Sequence, residues 1–113
     1  MLSKENRLKK KKEFNYIYKR GEVFHSHSFT MHVVRAYKRF PQIGISVSKA
    51  VGNSVVRSRV KRIFSEACRL NINRFAVKNY VITPKPISAT KTSTEIAREL
   101  MSVLNKNGLY RDV

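Results

Sequence analysis

The chain is poor in carboxylates. Of its 113 residues only seven are Asp or Glu, against 24 Lys and Arg, and the formal net charge is +17. The seven are Glu5, Glu13, Glu22, Glu66, Glu95, Glu99 and Asp112, so Glu66 alone interrupts the long basic middle. Two-metal nucleases, glycosidases and aspartic proteases need clustered carboxylates to hold cations or share protons. Only Glu95 and Glu99 have a spacing that places them together. They are expected on an exposed helix face, paired with Arg98 or solvent. A carboxylate active site carried by the protein itself is disfavoured.

Other absences narrow the class further. There is one cysteine, Cys68, which excludes an internal disulfide and any multi-cysteine zinc site. It lies at the edge of a helical apolar stripe without a histidine partner, as a small buried side chain would, and unlike a nucleophile. His25 and His27 would project from one strand face, a spacing that suits Zn²⁺, but no third ligand is near, and no metal site is expected in the protein. Apolar runs are only a few residues long, which argues against a transmembrane helix. The start of the chain leads into Lys9–Lys12 and not into an apolar stretch, so a secretory signal is not expected and a cytoplasmic location is. Glu66 reads as a partner for Arg59, Arg62 or Arg69.

What is present is a core and a large positive charge. Apolar residues make up 42% of the chain, enough for one domain spanning residues 1–113. Lys and Arg in such excess repel one another unless a polyanion is near. Nucleic acid is the usual one, since displacing counterions from phosphates supplies affinity without sequence readout. A membrane surface would require a basic helix with a free bulky apolar face.

Residues 1–12 are basic and lack apolar periodicity, and read as an extended or frayed arm. Phe14, Ile17 and Tyr18 recur at i, i+3, i+4 and predict a short amphipathic helix that stops at Gly21. Residues 22–36 read as strand, with Phe29, Met31 and Val33 on one face and Thr30, His32 and Val34 on the other. A turn over 37–41 leads to a strand over 42–48. There Ile43, Ile45 and Val47 point one way, and Gln42, Gly44, Ser46 and Ser48 form a small polar face that something large could cover. After Gly52-Asn53-Ser54 a helix runs to about Leu70. Val56, Val60, Ile63, Ala67 and Leu70 make an apolar arc of about 120°. Tyr80–Thr83 is a short strand ended by Pro84 and Pro86. Thr92 and Glu95 form a capping box for a last amphipathic helix that stops at Asn107-Gly108.

The most informative stretch is Ser48-Lys49-Ala50-Val51-Gly52-Asn53-Ser54-Val55-Val56-Arg57-Ser58-Arg59-Val60-Lys61-Arg62. A Gly-Asn turn leads from strand to helix, and four cations fall within the six residues 57–62. Helix N-termini ordinarily favour acids, because their free N–H groups are already partly positive. Cations there make sense when an external phosphate sits over that end, gripped by N–H groups and guanidinium forks together. A merely solvated face would mix signs. The only apolar stripe is needed to cover the sheet, which removes the membrane alternative.

These residues resemble the protein subunit of bacterial ribonuclease P. The family pattern is a strand ending in Ser-Lys, a Gly-Asn-Ala/Ser turn, then Arg-Asn-Arg-x-Lys-Arg, matched here by Ser48-Lys49, Gly52-Asn53-Ser54 and residues 57–62. Asn6-Arg7-Leu8-Lys9, the Phe14/Tyr18 helix, the 80–82 strand and the last helix match in order. Two positions depart: Ser58 stands in place of the signature Asn, and His32 stands where relatives often carry an aromatic.

The resemblance implies a single α+β domain of order α-β-β-β-α-β-α with a left-handed β-α-β crossover, a sandwich also found in a ribosomal protein domain. It implies an RNA-binding subunit of a ribonucleoprotein endonuclease. The RNA partner would hydrolyse the 5′ phosphodiester of precursor tRNA with Mg²⁺ held mainly by RNA, and the protein alone would be inactive. The protein would bind the leader and broaden substrate range. Carried over, Lys49, Asn53, Arg57, Arg59, Lys61 and Arg62 would bind the catalytic RNA. The 5′ leader of precursor tRNA would lie along Lys12, Phe14, Tyr18, His32, Ser46 and Ser48, with Gly44 leaving room and Arg35 lining the track. Stacking aromatics beside cations are the ordinary means of holding single-stranded RNA. A structural RNA-binding protein of the ribosome is the alternative.

Overall fold

Long-range pairing, more than chain order, shapes the sheet. In the computed structural model, which describes residues 2–112, strands β1 (Glu22–His25), β2 (Phe29–Arg35), β3 (Gln42–Ile45) and β4 (Lys78–Pro84) lie in the order β1-β2-β4-β3. β1 pairs antiparallel with β2, and β2 with β4, while β3 lies parallel to β4. Helices α1 (Lys11–Arg20), α2 (Ser54–Leu70) and α3 (Ser93–Lys106) complete the order α-β-β-β-α-β-α. This is the α+β fold that the resemblance implies. The crossover between the parallel pair carries α2.

Alternation along the strands separates two faces. Phe29, Met31 and Val33 of β2, Ile43 and Ile45 of β3, and Tyr80 and Ile82 of β4 are buried in the main core. Val60, Phe64 and Ala67 of α2 and Ile96, Leu100 and Leu104 of α3 join them. Spacings of three and four residues put the positions of each helix on one stripe. Phe29 and Phe64 meet edge-on at 5.9 Å. Full burial of each such side chain stabilises the fold by about 1.5–3 kcal/mol.

The other face is covered only in part. Leu8, Ile17 and Val81 form a small buried cluster there, with Phe14 and Val34 packed against it. On this face Thr30, His32 and Thr83 remain half-buried.

Several expectations are corrected. Residues 2–10 are not frayed: Leu2 and Leu8 are buried, and Leu8 N–H donates to Ile43 C=O at 3.1 Å, laying the segment along the free edge of β3. β3 ends at Ile45, although Ser46 N–H still donates to Ile82 C=O at 3.0 Å. β1 ends at His25 and His27 lies in the turn, so the two imidazoles do not alternate along one strand. Glu95 and Glu99 do not act as a pair facing solvent. Glu95 closes the capping box with Thr92. Glu99 reaches the β1–β2 turn, accepting from Ser26 Oγ and from Ser28 N–H, the latter at 2.8 Å. Burial works against its ionisation, but these hydrogen bonds outweigh it and hold the carboxyl below the usual range.

Candidate nucleic-acid interface

Three side chains expected to hold single-stranded RNA meet on the partly covered sheet face. Phe14 lies on Gly44, where a Cβ would overlap its ring. One turn later, Tyr18 stands edge-on to His32, 4.9 Å between centroids at 84°. Tyr18 Oη and Thr83 Oγ1 share a hydrogen bond at 3.2 Å. The i, i+4 spacing on α1 aligns the two aromatics, and the β2–β4 register sets His32 beside Val81 and Thr30 beside Thr83. His32 is thereby half-buried. Desolvation first, and the neighbouring His25 second, push its pKa below the ordinary value of 6.5. The ring is neutral at pH 7, and its Nδ1 has no hydrogen-bond partner.

Not every expected residue joins them. Ser46 is half-buried at the end of β3 and Ser48 is exposed, its C=O accepting from Val51 N–H in the following turn. Lys12 is on another flank of α1, beside Tyr16, Arg35 and Asn79. Two residues away on a helix is nearly opposite, so Lys12 and Phe14 could not share a side. The cations near Phe14 are instead Arg7, Lys9 and Lys61, around a cavity of about 510 Å³ that its ring helps to wall. Thr83 also belongs to this face. Its alternation with Val81 along β4 puts it on the cleft face, a signal already in the sequence.

The α2 cations divide between two sides of the helix. Arg57 and Lys61, one turn apart, face a hollow shared with Ile45 and Val47, towards β3. Arg59 and Arg62 face another with Val55 and Ser58. Arg57 Nε donates to Gly52 C=O at 3.2 Å and Arg59 Nη2 to Ala89 C=O at 3.0 Å, which orients both guanidinium groups. Lys49 is exposed in the turn before the helix. Asn53 has a structural task in addition to any contact with RNA: its Oδ1 caps α2 by accepting from Val56 N–H at 3.0 Å. Gly52 precedes it at φ +157°, and a Cβ there would come 2.8 Å from Val56 Cγ1.

The remaining candidates are structural. Glu66 takes a bidentate fork from Arg69, at 2.6 and 3.0 Å, and those bonds lead in pulling its pKa down to about 2. Cys68 is fully buried, and desolvation pushes its thiol pKa well up, against any role as a nucleophile. Among the described residues no helix is long and apolar enough to cross a membrane.

A sheet face lined by stacking side chains, next to a helix with cations on both flanks, defines an RNA-binding protein of the α+β class. The family model for Ribonuclease P matches residues 2–108. The ribonuclease P protein component of Clostridium beijerinckii is 41% identical over 116 residues, covering 94% of this chain and 91% of that one. That of Clostridium kluyveri is 38% identical over 108 residues, covering 93% and 96%. Among solved structures, the Staphylococcus aureus protein superposes with a TM-score of 0.81 at 26% identity, covering 94% of this chain and 98% of that one. The Thermotoga maritima protein shares the fold, with a TM-score of 0.80 at 20% identity over 88% of this chain and 96% of that one. The chain belongs to the ribonuclease P protein family. It is an RNA-binding component that works with the ribonuclease P RNA in the 5′ processing of tRNA.

Proposed function

We propose that the chain holds the single-stranded 5′ leader of precursor tRNA against the Phe14–Tyr18–His32 face, docks the catalytic RNA through α2, and leaves hydrolysis to that RNA. The observation that supports this most is the meeting of Phe14, Tyr18 and His32 from α1 and β2 on a face flanked by Arg7, Lys9 and Lys61. Bases stack on such rings while cations follow the backbone, a mode tolerant of leader sequence.

Four of the carboxylates are engaged in the fold: Glu13 with Tyr37, Glu66 with Arg69, Glu95 with Thr92 and Glu99 with the β1–β2 turn. The residues present do not fit a Mg²⁺ cage, which wants converging oxygen ligands in an octahedron. Among the described residues no three His, Cys, Asp or Glu side chains gather. We therefore assign Mg²⁺ to RNA phosphates, with the protein's cations lowering the repulsion between the two RNAs as they approach. A cytoplasmic location follows from that partnership.

Cleavage of a precursor tRNA at low Mg²⁺, by the RNA subunit with and without this chain, tests the reading. A gain on adding the protein is expected, and no gain overturns it. Tyr18→Ala should weaken precursor relative to mature tRNA by about 1–3 kcal/mol, the value of one base–aromatic stack. Arg59→Ala should instead weaken assembly with the RNA subunit. Equal loss of leader discrimination in both would refute the division of surfaces, and ribosomal RNA as the co-purifying partner would refute the reading as a whole.

A further inference from the structure

A second cavity lies on the flank of α1 away from Phe14 and Tyr18. Its volume is about 230 Å³, and Ile17 and Val34 form its apolar wall. Tyr16 and Tyr37 line it as well, and they remain 59% and 67% exposed, so two aromatic rings stand in water at its mouth. Lys12 and Arg35 complete the rim. Asn79, the cross-strand neighbour of Val34, also lines the cavity; it is 2% exposed and its Oδ1 accepts no hydrogen bond. Gln42, paired with Asn79 on its other side, likewise has an unpartnered Oε1. The nearby acid, Glu13, accepts from Tyr37 Oη, which steadies that ring.

We propose that this cavity takes one unpaired nucleotide. Its base would lie against Tyr16, Tyr37 and Val34, with its phosphate towards Lys12 and Arg35. Two exposed aromatic rings over an apolar wall, next to two cations, select this chemistry. An acyl chain would leave Lys12 and Arg35 without a counter-charge, and an acidic peptide would bring no planar face for the rings. The site extends the RNA-binding reading to a second place, but its test needs neither cleavage nor the catalytic RNA, so its failure would leave that reading standing.

The experiment is an NMR titration of the full chain with AMP and, separately, with ribose 5-phosphate. AMP should shift the amides of Tyr16, Val34 and Asn79. Tyr16→Ala should weaken AMP at least about five-fold, the loss of one stacking contact. Ribose 5-phosphate should bind at least about ten-fold more weakly than AMP. Equal binding of the two, shifts confined to the Tyr18–His32 face, or no saturable binding would each overturn the proposal. A photoreactive group at position 16 in the reconstituted complex then identifies the source. A crosslink assigns the nucleotide to one of the RNAs, and AMP binding without a crosslink assigns a free mononucleotide.

Discussion

At Gly44 the absence of a side chain lets Phe14 lie directly on β3. Gly44→Val should therefore displace that ring. Overpacking of this kind costs about 1–3 kcal/mol, to be read by urea unfolding, and precursor tRNA binding should fall with it. His32 carries a different prediction. Its pKa is lowered in the fold, so the unfolded chain binds more protons between pH 6.5 and the folded value. Stability should be constant above pH 6.5, fall as pH drops through that window, and level off once the folded ring is protonated. His32→Tyr should abolish this slope in urea unfolding between pH 7.5 and 5. It should also tighten leader binding, since a phenol ring offers more stacking area than imidazole.

The three helices show at the level of elements which features could be read in advance. Phe14, Ile17 and Tyr18, the Gly52-Asn53 turn and the Thr92/Glu95 box were legible because each is local, resolved within a few residues by helix period and end chemistry. The contact of Glu99 with Ser26 and Ser28 spans more than seventy residues, and only the β1–β2 turn coming to rest beside α3 creates it. Leu2 and Leu8 belong to no periodic run, so local pattern predicts an arm; the free edge of β3, which no local pattern announces, is what buries them. Lys12 lies on a different side of α1 from Phe14, because a helix distributes neighbouring residues around its axis. Asn53 joins local and distant roles, and a substitution separates them. Asn53→Asp keeps a good N-cap, so thermal stability should hold within a few tenths of a kcal/mol, while the added negative charge weakens catalytic-RNA binding in a filter assay. Glu99→Ala should cost about 1–3 kcal/mol by leaving Ser28 N–H without its acceptor, measured by denaturant unfolding.

For the molecule as a whole, the excess of 24 basic over 7 acidic residues predicts affinity that falls steeply with salt. For single-stranded RNA each phosphate contact contributes about 0.7 to the slope of log K against log salt. Removing Arg62 should lower that slope by about this amount for the catalytic RNA and leave the shape of the thermal unfolding curve unchanged, since the side chain is exposed. The Phe14 cavity and one flank of α2 meet at Lys61, which lines both.

The strand order carries a consequence for how the chain acquires its structure. β4, the last strand to be made, is an inner strand of the sheet, and within that sheet β3 pairs only with β4. Until residues 78–84 have left the ribosome, β3 has no strand neighbour and α2 no completed sheet to rest on. Loop closure across the crossover must then precede the contacts that stabilise it, which makes folding slow relative to a chain of hairpins. The cationic helix thus emerges in translation well before the scaffold that orients it.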